Sequence, residues 1–222
     1  MQKLSTPFVL IKKSVDLFFK KENFIFLIKI YIPLAVFSVL TVAQSYLPDF
    51  FRNSNITLIT IVAIILQFLY IVVGVFVAAS GIVAFRKIVE EEKLSVKETF
   101  QIAWKRLWKF SVLSLLVFLM TIGGGILLVI PGIIFSVWYV FSRFILIESE
   151  KGEVLIALGR SRHLLRGRFW KVFGRLIVFG FFAIIVQFAL SVIPFGIGSI
   201  ALSLCKGLFL LPTYLLYREI SE

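Results

Sequence analysis

The segment Phe110–Ile147, FSVLSLLVFLMTIGGGILLVIPGIIFSVWYVFSRFILI, carries one charge, Arg143, and one proline, Pro131. A helix needs about 20 apolar residues to cross a bilayer, and a run this long and oily serves no water-exposed surface. With Pro131-Gly132 as the turn, the run divides into two crossings, 110–130 and 133–147. It predicts a transmembrane helical hairpin.

Working outward, similar runs occupy 24–47, where Lys29 is close enough to one end to snorkel, and 57–84. Two more, 173–193 and 198–217, flank a turn at Pro194-Phe195-Gly196. The whole chain is 60% hydrophobic and only 16% charged, with a mean hydropathy of +1.02. A soluble domain averages about 45–50% apolar and about 25% charged residues. The expected fold is an all-α polytopic integral membrane protein, a single membrane domain over 1–222 with about six spans. Thr41 and Ala43 follow the first run as a cleavable signal would require. The run is long for a signal core, however, and a charged amphipathic stretch precedes it, so it is read as a retained span.

Three basic stretches lie between the runs. In 7–22, Thr6-Pro7 reads as a cap and first helical residue, and Ile11, Val15 and Phe18 recur at helical spacing opposite Lys12, Lys13, Asp16 and Lys20. In 95–109, Ser95 and Glu98 form a capping-box pattern ahead of the apolar positions Val96, Phe100, Ala103, Trp104, Leu107 and Trp108. In 150–170, Val154, Ala157, Leu158, Ser161 and Leu165 share one side, with Arg160, His163 and Arg166 displaced from it. Each is expected to be an amphipathic helix on the membrane surface.

Net charge is +12, from 24 basic and 12 acidic residues. Of the basic residues, Arg52 alone falls in an expected outer connection, the loop 48–56. The positive-inside rule then sets both termini in the cytoplasm, and the charge points to anionic lipid headgroups rather than nucleic acid. The order of basic helix, span, proline-marked turn and returning span occurs three times, a coarse pattern that either duplication or plain hairpin insertion would generate.

Catalytic and metal chemistry find few parts here. His163 is the one histidine and sits among arginines, which oppose metal binding. Cys205 has no partner for a disulfide. Glu90-Glu91-Glu92 and Glu148, Glu150 and Glu153 fall at expected helix boundaries, where carboxylates stabilise an N-terminal dipole without any chemistry. Gly123-Gly124-Gly125 lacks the strand and Lys-Ser/Thr of a phosphate loop and suits close helix contact or local unwinding. Neither catalytic residues, nor a metal, nor a cofactor is expected.

Two groups of residues remain as candidates. Lys206 is the deepest cation and, with Gln67 and Gln187, forms a candidate intramembrane polar site. Arg143 and Arg175, nearer the cytoplasmic face, are expected to snorkel. Lys97, Lys105, Lys109, Arg160 and Arg166, with Trp104, Trp108 and Trp170, are candidate headgroup-binding residues at the inner interface, where tryptophan also belongs as an ordinary belt residue.

The run Ile130-Pro131-Gly132-Ile133-Ile134, the acidic Glu148, and then Ala157, Ser161, Leu164, Gly167, Phe169 and Trp170 form a spaced motif. The stretch Ile130–Phe173 resembles the membrane domain attached to some bacterial glycerophosphoryl diester phosphodiesterases, which also occurs in stand-alone multi-pass proteins. It covers about a fifth of the chain; the rest agrees only in hydropathy, and the weakly matching first hairpin and the outer loop at 48–56 depart from the family's pattern. The resemblance implies a prokaryotic cytoplasmic membrane and a non-catalytic module. In fused relatives the phosphodiesterase chemistry belongs to a separate soluble barrel, for which these residues leave no room.

Two functions are therefore expected in competition. One is a lipid-interacting or scaffolding membrane module whose partners are anionic lipids of the cytoplasmic leaflet. The alternative is a transporter or exporter of a small or lipid-like substrate, which would use the midplane polar residues. An intramembrane enzyme is disfavoured, because no nucleophile stands beside a base and no carboxylate pair is evident.

Overall fold

A computed structural model describes residues 4–45, 56–92, 94–149, 152–193 and 196–221. Pro48, Arg52 and Asn53 of the expected outer loop, Glu150, Pro194 and Phe195 lie outside the described residues. All regular structure among the described residues is α-helical: α1 (Pro7–Phe19), α2 (Lys21–Ser45), α3 (Ile56–Glu90), α4 (Val96–Leu127), α5 (Val129–Trp138), α6 (Ser142–Glu148), α7 (Val154–Leu165), α8 (Phe169–Ser191) and α9 (Ile197–Ser221). Six segments are long and apolar enough to cross a membrane, α5 and α6 together forming the fourth. This is a multi-pass, all-α fold.

Apolar residues are distributed as a bilayer demands. Ile64, Ile65 and Phe68 on α3 and Phe181, Ile184, Ile185 and Phe188 on α8 are exposed. In water such faces would be an aggregation hazard, whereas against acyl chains they are solvated. The buried residues of α3 run from Val77 to Ile88 and those of α9, apart from Gly198, from Ser203 to Ile220, so the bundle is packed most tightly near one end. There Phe18, Tyr31, Phe85, Phe110, Phe141 and Tyr214 meet. In the bundle α3 packs between α2 and α4, and α9 packs on α2 and α8.

Several boundaries differ from the sequence reading. Residues 95–109 do not form a separate surface helix: they are the first turns of the 32-residue α4, continuous with the span. Nothing between Lys109 and Phe110 breaks the helix, and at about 1.5 Å per residue α4 exceeds the roughly 30 Å hydrocarbon core, so its basic end projects. The capping box at its start forms as expected, Glu98 N–H donating to Ser95 Oγ at 3.2 Å and Ser95 N–H to Glu98 Oε2 at 2.6 Å. Thr6, by contrast, makes no side-chain cap, although Pro7 does open α1. That helix is more than a surface element: Leu10, Ser14 and Phe18 are buried, and it packs on α9, α2 and α8.

The turn of the central hairpin falls at Leu128, in extended conformation, and not at Pro131-Gly132. Pro131 sits in the first turn of α5, where its missing N–H has no intrahelical partner to lose. Gly132 instead serves the close approach of α4 and α5: a Cβ built on it would lie 2.8 Å from Gly125 N and 3.1 Å from Thr121 O. The returning span breaks at Tyr139–Phe141 before resuming as α6.

Candidate functional site: a polar network and a cationic, tryptophan-bearing end

Three helices end at the same level, and their last residues bond to one another. Tyr214, Tyr217 and Arg218 share one face of α9 by their three- and four-residue spacing. Tyr214 Oη donates to Glu148 Oε1 at 2.6 Å and Tyr217 Oη to Oε2 at 2.8 Å. Arg218 pairs with Glu90 and stands 3.9 Å from Glu148. Arg86 closes the network, bonding Glu90 at 2.9 Å and Glu92 at 2.6 Å. The rings of Phe141 and Phe144 pack against Tyr214 and Tyr217 and limit water access.

This arrangement corrects the reading of the acidic clusters as N-terminal dipole charges. Glu90 and Glu148 are the last residues of α3 and α6, where the helix dipole opposes a negative charge. Guanidinium and phenol donors, rather than helix amides, stabilise them. The carboxylates are spent on structural contacts. Among the described residues, no group of three His, Cys, Asp or Glu side chains converges as metal ligands would.

Residues of the family-like motif hold the same end together. Ser161 is buried and donates to the Trp138 carbonyl at 2.7 Å, an acceptor freed where the fourth span breaks. Arg162 stacks over the Trp138 ring at 4.4 Å. Ala157 is buried under α7, and Gly167 adopts a φ of +77°, a left-handed turn that glycine allows between α7 and α8. Arg106, unremarked in the sequence, donates to the carbonyls of Leu146 at 2.8 Å, Ile147 at 2.7 Å and Ser149, and so caps α6 from α4. Arg175 binds the carbonyls of Leu4 at 3.0 Å and Ser5 at 2.9 Å, fixing the segment before α1.

The candidate headgroup residues lie outside this network. Lys97, Lys105, Lys109, Arg160 and Arg166 are exposed. Trp104, Trp108 and Trp170 are 68%, 79% and 77% exposed, which removes them from the protein core. Trp104 meets Phe76 edge to face, and with Phe100, Lys97 and Lys105 they line an open groove along α3 and α4.

The candidate midplane site is not assembled. Gln67 and Gln187 are exposed and take no hydrogen bond among the described residues. Lys206 finds the Tyr70 hydroxyl at 3.3 Å and its ring at 5.3 Å, a partner the sequence reading lacked. A single phenol contact does not fix a charged site, so Lys206→Met is expected to change the apparent Tm in detergent by less than about 2 °C or to raise it. A large drop in a thermal-shift assay would mark Lys206 as part of a polar structure that the other spans complete.

Comparison with family models, with curated protein sequences and with solved structures returns no match for this chain. The fold and charge distribution define it as a multi-pass α-helical membrane protein with a cation-rich end.

Proposed function

We propose that this chain is a non-catalytic membrane module of a prokaryotic cytoplasmic membrane that binds anionic phospholipids at the inner leaflet. The observation that carries this reading is the exposure of Trp104, Trp108 and Trp170 among Lys97, Lys105, Lys109, Arg160 and Arg166. Tryptophan favours the headgroup level, and each lysine or arginine near an anionic leaflet contributes about 1 kcal/mol. Both termini are cytoplasmic in this reading, because the basic end is the cytoplasmic end. The motif's resemblance to phosphodiesterase-linked membrane domains supports a module that organises lipid without transforming it.

Charge neutralisation tests the proposal. The triple variant Lys97→Gln, Lys105→Gln, Lys109→Gln keeps the tryptophans, so the affinity of its surface sites for phosphatidylglycerol in mixed micelles is expected to fall at least about tenfold, from up to about 3 kcal/mol of lost attraction. Its affinity for phosphatidylcholine should be unchanged. Equal binding of both lipids by the parent would remove the electrostatic basis of the proposal. Movement of a small or lipid-like substrate is a second reading, favoured by one feature, the break in the fourth span at Tyr139–Phe141. Interrupted helices at membrane depth occur where backbone lines a cavity.

A further inference from the structure

The break in the fourth span opens a cleft of about 240 Å³ between α3, α4, α5–α6 and α9. Its buried members Ile82, Phe110 and Phe144 form the floor, and its exposed members Ser136 and Arg143 stand at the mouth. Arg143 lies within the fourth membrane-spanning segment, five residues before Glu148. About 1.5 Å of rise per residue puts it some 7 Å farther into the span than Glu148 of the polar network. Among the described residues the guanidinium makes no hydrogen bond or ion pair. The hydroxyls of Thr121, Tyr139 and Thr213, which line the same cleft, are equally without protein partners. One permanent cation and three unspent hydroxyl donors therefore share one cavity, whose remaining lining is apolar except for Ser136, a hydroxyl already donated to the Ile133 carbonyl at 2.8 Å.

We infer that this cleft is a specific site for the phosphodiester of an anionic phospholipid, which enters sideways from the bilayer. The inference deepens the proposed lipid-binding function and rests on it. An unpaired arginine inside a span calls for an anion, because exposure of its charge to hydrocarbon is the costly alternative. Guanidinium is the side chain best matched to phosphate oxygens, which accept two parallel N–H donors, and hydroxyls complete such a set. The apolar wall and a mouth at membrane depth favour a lipid over a free phosphate ion, which would have to shed its water to arrive. The volume admits a headgroup and the start of a chain, leaving the remaining chains in the bilayer.

Native mass spectrometry of the purified full chain, titrated with dioleoyl phosphatidylglycerol, tests the inference. The parent is expected to hold one lipid more tightly than all others. Arg143→Gln should weaken that first site about tenfold or more, the loss expected for a hydrogen bond to a charged group. Arg143→Lys should recover part of it, and Tyr139→Phe should weaken it less. Val117→Trp, which fills the wall without touching charge, should weaken it as Arg143→Gln does, and it decides the question if Arg143→Gln fails to fold. The triple lysine variant should leave the first site unchanged and remove the weaker ones. A first site unaffected by both Arg143→Gln and Val117→Trp would overturn the cleft assignment while leaving the general lipid reading intact. Weaker sites unaffected by the triple variant would overturn that general reading instead. Displacement of the first lipid by inorganic phosphate at equal concentration would assign the cleft to a soluble anion.

Discussion

Glu148→Ala is expected to destabilise the protein by about 3 kcal/mol, the largest effect of any single polar substitution in the fold. The carboxylate is only 16% exposed, and its removal strands two phenol hydroxyls and weakens the setting of Arg218. For a chain of this size about 3 kcal/mol corresponds to a drop of roughly 6–12 °C in apparent Tm. Tyr214→Phe and Tyr217→Phe each remove one bond and no charge, so each should cost about 1 kcal/mol. Because the three side chains act as a unit, Glu148→Ala should cost distinctly less in the double-phenylalanine background than alone. Additive losses in a thermal-melt cycle, or a Glu148→Ala loss below about 0.5 kcal/mol, would mean that the network is not a structural tie.

Gly132→Ala is expected to follow at about 2 kcal/mol, with the sign reversed at Gly123 on the facing helix α4. The added Cβ would meet the backbone of Gly125 and Thr121 at 2.8–3.1 Å, and backbone cannot yield as a flexible side chain does. The hairpin must open to admit it, an overpacking penalty of about 1–3 kcal/mol. Gly123 has nothing within 4 Å of a built Cβ, so Gly123→Ala gains helix propensity and should stabilise by up to about 1 kcal/mol. Parallel melts of the two variants in the same detergent separate close packing from general helix flexibility. Two shifts of the same sign would contradict the assigned role of Gly132.

The spans were legible because their signal is local: Phe110–Ile147 can be counted along the sequence without knowing what it touches. The capping box at Ser95 and Glu98 was legible for the same reason, since both partners lie within one turn. The polar network was not, because Glu148 finds its donors 66 and 69 residues away. Nothing in a single sequence says which helix ends meet. A partial signal was present in Tyr214, Tyr217 and Arg218, which share a helix face at the end of a span. Pro131 misled because proline marks both turns and first helical turns, and here the second use applies. Residues 95–109 carry amphipathic periodicity but nothing that ends a helix before Phe110, so the basic stretch and the span are one element. The cleft around Arg143 depends on a helix break that no proline or glycine announces at 139–141.

Pro131, Gly132, Ser161 and Gly167 acquire physical reasons from the fold, being in turn a helix start, a close contact, a bond to a freed carbonyl and a left-handed turn. These roles concern how the fourth span and the following helix are held together. The basic, tryptophan-bearing surface takes no part in them.

The most direct test of lipid binding as the function is the content of the protein as purified from a bacterial membrane in mild detergent. Quantitative lipid analysis should recover anionic phospholipid at more than one molecule per chain, enriched over its share of the membrane, falling toward the single cleft-bound molecule in the triple lysine variant. Recovery of phospholipids in the proportions of the bulk membrane, together with a stoichiometric soluble solute, would contradict the lipid-binding account and favour transport.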